Sequence, residues 1–161
     1  MKWILVKWTL AASLLALVAP TAVTFAGPEH WETYSIAETG TSVDIPTSIF
    51  TEKMAEHLNG YGERLRTSDG RAELTVQTAP NSENEAPATF LAKRHPPADI
   101  QYKRVTDRFF AVSGYKRDQV YYSRCNFSHG FVHCVTINYP AREERDWDAA
   151  VTRISLSLRG E

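Results

Sequence analysis

Two cysteines occur in this chain, Cys125 and Cys134, and they stand on two strand-like runs joined by a turn. Gln119-Val-Tyr-Tyr-Ser-Arg-Cys125-Asn-Phe127 and Phe131-Val-His-Cys134-Val-Thr-Ile-Asn-Tyr139 are rich in β-branched and aromatic residues. Ser128-His129-Gly130 lies between them, and glycine supplies the positive φ that a tight hairpin needs. With His129-Gly130 as the loop, Ser128 faces Phe131 and Cys125 faces Cys134. Counting outward from the turn puts the cysteines at a non-hydrogen-bonded pair, where side chains come closest. The pattern predicts a Cys125–Cys134 disulfide across an antiparallel ladder. Closing so short a loop contributes about 2–3 kcal/mol through chain entropy. His129 and His133 complete a set of zinc-type ligands in the same stretch. Strand alternation sends His133 and Cys134 to opposite faces, so one site does not collect them. No metal or other cofactor is expected.

A disulfide requires an oxidising compartment, and the first 26 residues supply a route to one. Lys2 and Lys7 precede the apolar run Trp8 to Val18, Pro20 breaks it, and Thr24-Phe25-Ala26 offers a small-x-small cleavage site. Trp8 to Ala26 is nearly long enough to span a bilayer, but Pro20, the threonines and the cleavage pattern favour a signal peptide. No cysteine follows the run as a lipidation site, and no second apolar stretch of spanning length occurs. The expectation is a periplasmic or secreted chain from Gly27 to Glu161, one domain without a stable membrane anchor.

Alternation, turns and caps then suggest an architecture. Trp31 to Ile36 and Thr41 to Ile45 read as strands about Ala37-Glu-Thr-Gly40. Thr51 to Leu58 reads as one or two helical turns ended by Asn59-Gly60. Gly62–Thr67 and Arg71–Thr78 form a hairpin about Asp69-Gly70, with Leu65 facing Leu74 and Arg66 facing Glu73. A short helix opens at Pro87, is anchored by Phe90 and Leu91, and ends at His95-Pro96-Pro97. Four strands follow in series: Gln101–Thr106, Phe109–Tyr115, Gln119–Phe127 and Phe131–Tyr139. Their short links imply an antiparallel meander. A closing helix starts near Ala141 and buries the stripe Trp147, Val151, Ile154 and Leu158. The sum is an α+β domain in which hairpins and a four-strand meander pack with two main helices.

Catalytic patterns are absent. Ser113-Gly-Tyr-Lys116 has a Ser-x-x-Lys spacing but falls at a strand end, without the companion motifs of penicillin-recognising enzymes. The five histidines lack metalloprotease spacing, and most stand beside turns or prolines, as surface residues do. Glu143, Glu144, Asp146 and Asp148 suit a helix N-terminus, where the dipole favours acids. Charge is uneven: Pro28 to Phe90 carries 11 acids against 4 bases, whereas Leu91 to Arg124 carries 8 bases against 3 acids. Loss of the leader's two lysines takes the net charge from −1 to −3, which argues against a nucleic-acid partner. The basic stretch interleaves Arg104, Arg117 and Arg124 with Tyr102, Tyr115 and Tyr121. Arginine and tyrosine are favoured contact residues, so this surface is the candidate for an anionic envelope component or an acidic protein.

Several short segments carry a family resemblance. Val43-Asp-Ile-Pro46 is followed by a phenylalanine, and Ser68-Asp-Gly70 precedes a strand. Phe109-Phe-Ala-Val-Ser-Gly114, Val120-Tyr-Tyr122 and Tyr139-Pro140 leading into the last helix complete the pattern. In this order of elements the chain resembles the PsbP/DcrB-like fold, and it is similar to small exported proteins of alphaproteobacteria. The resemblance implies a non-enzymatic accessory or scaffolding role in the bacterial envelope or a membrane-associated complex, with no catalytic residues to carry over. It departs from lipoprotein members by lacking a lipidated cysteine. The competing expectation is a small periplasmic hydrolase whose polar residues converge only on folding.

Overall fold

The computed structural model describes residues 30–55 and 60–160. The expected leader, its cleavage point and the end of the expected helix at 51–58 lie outside those residues. In chain order the strands are β1 (Trp31–Ile36), β2 (Thr41–Pro46), β3 (Glu52–Lys53), β4 (Tyr61–Arg66) and β5 (Glu73–Pro80). Helix α1 (Pro87–Lys93) precedes β6 (Asp99–Val105), β7 (Phe109–Lys116), β8 (Gln119–Ser128) and β9 (Phe131–Pro140). A 3-10 turn, Ala37–Thr39, joins β1 to β2, and another, Ala141–Glu143, leads into α2 (Glu144–Ser157).

The architecture is α+β, mostly antiparallel sheet with two α-helices. Seven strands form one sheet in the order β3-β4-β5-β9-β8-β7-β6, and β1 pairs with β2 in a separate ribbon. The hairpin turns set the registers. Leu65 pairs with Leu74 about Asp69-Gly70, and Cys125 pairs with Cys134 about His129-Gly130. His129 and Gly130 take φ of 48° and 78°, the left-handed pair that suits a two-residue loop. The cysteine sulfurs are 2.03 Å apart, a disulfide distance. Their Cα atoms stand 4.1 Å apart, in keeping with a non-hydrogen-bonded pair.

Helices cover the sheet unequally. Under α2, Leu74, Val76, Val120, Val135, Ile137 and Tyr139 meet Trp147, Val151, Ile154 and Leu158, with Val43 and Ile45 of the ribbon closing the cluster. On the opposite face Leu91 of α1 meets Phe110, Val112, Val132 and the disulfide. Phe90 adds an edge-on contact with Phe127, ring centres 5.5 Å apart.

The segment from Thr51 departs from expectation. Glu52 and Lys53 are extended and pair with Arg66 and Leu65. Cross-strand charges explain the choice: Glu52 accepts from Arg66 at 2.7 Å, and Lys53 meets Glu63 at 2.6 Å. At the other edge β6 carries a bulge between Ile100 and Tyr102, opposite Gly114 of β7. A side chain at Gly114 would place its Cβ 2.3 Å from the Asp99 carbonyl oxygen, so only glycine admits the edge strand there.

Candidate functional site

Alternation along β6, β7 and β8 decides what happens to the basic stretch. Arg104 pairs with Ala111, and Ala111 with Arg124, so both guanidiniums rise from the face that carries α2. Phe109 stands between them on the same face, one row along. The Arg124 guanidinium carbon lies 4.6 Å from the centre of its ring and that of Arg104 lies 5.4 Å away. Tyr102 is on this face too, 49% exposed at the open edge.

The other three candidates separate. Tyr115 shares the face, but its hydroxyl donates to Glu144 at 2.7 Å, at the start of α2. That hydrogen bond raises its pKa. Tyr121 points the opposite way and packs on the α1 cluster. Arg117 sits in the β7–β8 turn with φ of 60°, away from the rest. The adjacent Tyr122, absent from the sequence-derived set, takes the place given to Tyr121. It packs toward α2 and its hydroxyl bonds Ser155, with burial raising its pKa. The period-two pattern held the signal, because 122 and 124 share a parity that 121 lacks.

α2 lies beside these strands and leaves a groove of about 340 Å³ between them. Its walls include Tyr102, Arg104, Phe109, Tyr122 and Arg124 from the sheet, and Glu144, Asp148 and Leu156 from α2. Arg124 donates through Nε to Asn126 at 3.1 Å. Among the described residues neither Arg104 nor Arg124 forms an ion pair with a carboxylate.

Three other clefts differ in this respect. In clefts of about 150 and 300 Å³, Arg71 binds both Asp69 and Glu143. Asp69 is held near a pKa of about 2, chiefly by the Thr67 hydroxyl and then by Arg71. A cleft of about 570 Å³ beside β1 and β3 has Lys53 paired with Glu63. The groove beside α2 therefore combines space with cations that form no ion pair among the described residues.

His133 corrects the expectation of surface histidines. It is fully buried, and hydroxyls surround its ring. Ser128 Oγ lies 3.1 Å from the Gly160 carbonyl, which only accepts, so its proton goes there. It therefore accepts from His133 Nε2 at 3.0 Å, and Nδ1 accepts from Thr41 at 2.7 Å. Thr41 in turn accepts from Thr39 at 2.7 Å and Thr78 at 2.6 Å. With these directions the ring is neutral, and burial holds its pKa down; the Thr39 hydroxyl also lies 3.5 Å from the Ile36 carbonyl. None of these four clefts has a histidine in its wall. The Ser128 proton faces a carbonyl instead of the ring, so this cluster does not supply the activated serine that the hydrolase expectation needs.

Comparison with known proteins bears on the fold. No family model matches the chain, and no curated protein sequence matches it. Among solved structures, the chain is similar to the solution structure of cyanobacterial PsbP (CyanoP) from Synechocystis sp. PCC 6803. The match has a TM-score of 0.62 at 10% identity and covers 87% of this chain and 98% of that one. The fold is PsbP-like.

Proposed function

We propose that this chain is an exported, non-enzymatic binding or accessory module of the bacterial envelope, and that the groove beside α2 holds an anionic group of its partner. The observation that carries the reading is the pair Arg104 and Arg124, which flank Phe109 and form no ion pair among the described residues. Two guanidiniums stacked on one ring are oriented before a ligand arrives, so little side-chain entropy is lost on binding. The PsbP-like fold, the cysteine pair and the leader-like first 26 residues support an accessory role outside the cytoplasm. No described helix is long and apolar enough to cross a membrane. The DcrB-like and alphaproteobacterial likenesses belong to the same proposal.

Retention of the purified protein on envelope fractions tests the reading. Arg104→Glu with Arg124→Glu is expected to weaken retention about tenfold or more. Arg117→Glu, at a turn outside the groove, is expected to leave it unchanged. Equal retention of wild type and the double variant would remove the groove from the proposal. Mass spectrometry of protein from the native host tests export, which fails on an intact leader with two free thiols.

A further inference from the structure

The groove holds charges of both signs that do not neutralise each other. Arg104 and Arg124 stand at one end, and Glu144 and Asp148 rise from successive turns of α2 toward the other. Among the described residues neither acid forms an ion pair, and Glu144 only accepts from the Tyr115 hydroxyl. Tyr115 marks the acidic end, and Ala111 lies level with both arginines. These two are four positions apart on β7, about 13 Å along a strand. That span separates the arginine row from the Tyr115 end where Glu144 sits, and Asp148 lies one turn further along α2. Among the described residues no ion pair joins either acid to either arginine. A ligand laid along the groove could satisfy both.

Such a ligand must be extended, with an anion and a cation about four residues apart on one side. A strand-like peptide does this, because residues i and i+4 share a face about 13 Å apart. A polyanionic glycan would bring like charge to Glu144 and Asp148. A zwitterionic lipid headgroup is too short to reach both ends. We infer that the groove takes an extended peptide segment, seating a carboxylate between Arg104 and Arg124 and a basic side chain against Glu144 and Asp148. The inference rests on the anion-binding reading above and adds the class and polarity of the ligand.

NMR titration of the purified protein with end-capped pentapeptides tests it. The probes are Lys-Ala-Ser-Ala-Glu, the same composition with Lys and Glu adjacent, and Gln-Ala-Ser-Ala-Glu; a galacturonate oligosaccharide is the glycan arm. The spaced peptide is expected to bind about tenfold tighter than each of the others. Glu144→Gln with Asp148→Asn should erase that margin, and Arg104→Ala with Arg124→Ala should abolish binding, with the amide spectra confirming that both variants are folded. Equal binding of the Lys- and Gln-containing peptides, unchanged in the acid-to-amide variant, overturns the bipolar ligand and leaves the anion reading intact. Tightest binding by the oligosaccharide overturns the peptide class. If no probe shows arginine-dependent binding, both readings fall.

Discussion

The same face of the sheet carries two polar clusters, and the fold treats them in opposite ways. Around His133 each hydroxyl and ring nitrogen has a partner, and the ring is buried with Thr39, Thr41 and Thr78. Around Arg104 and Arg124 the charged groups open on a groove and form no ion pair among the described residues. Asn126 separates them, accepting from Arg124 and donating to the Leu158 carbonyl at 3.0 Å. Polar residue types alone do not distinguish structure from function. Saturation and access do: a closed network fixes the fold, while an open and unsatisfied one is available to a partner.

Breaking the closed cluster should have the largest effect on stability. His133→Ala strands the Thr41 proton in a buried site and leaves Ser128 without its donor. A loss of roughly 3 kcal/mol or more in urea unfolding is expected. Next comes the disulfide, whose sequence separation is 9. Replacing both Cys125 and Cys134 by serine should cost about 2–3 kcal/mol, read as a lower midpoint under the same conditions.

Mild acid should then act through the closed cluster. Burial lowers the His133 pKa, so the folded state holds the ring neutral while the unfolded chain takes a proton near pH 6.5. Its contribution is present above that pH and is lost as pH falls through it, by at most about 1.4 kcal/mol per pH unit. His133→Gln should remove this slope from a plot of unfolding free energy against pH; an unchanged slope would assign the acid sensitivity elsewhere. The smallest effect is expected at the open cluster. Arg104→Ala or Arg124→Ala should alter unfolding free energy by about 0.5 kcal/mol or less, although binding fails. A large loss there would show that the arginines serve the fold.

Much of this fold could be read from short-range chemistry. Asp69-Gly70 and His129-Gly130 determine two registers, and alternation places Leu65, Leu74 and Val76 inside. The spacing of Trp147, Val151, Ile154 and Leu158 identifies the buried stripe of α2. What escaped was set by contacts distant in sequence. Glu52 and Lys53 are extended because β4 offers them partners, overriding their local helical preference. His133 is buried because Thr41, 92 positions away, comes to its ring. Of the six candidate residues, Arg104, Arg124 and Tyr102 lie together on the face that carries α2. Residue type alone could not tell Tyr121 from Tyr122, whereas strand parity with Arg124 does.

Gly114 has a consequence for the groove. The bulged edge strand bears Tyr102 and Arg104, and it lies close because nothing projects from position 114. The aperture is thus tuned by an omission, at a residue that lines neither wall. Gly114→Ala would lever the rim outward and misalign the two guanidiniums while leaving every contact side chain in place. If the groove binds as proposed, its preference for ligand width would depend on a residue outside the ligand's contacts.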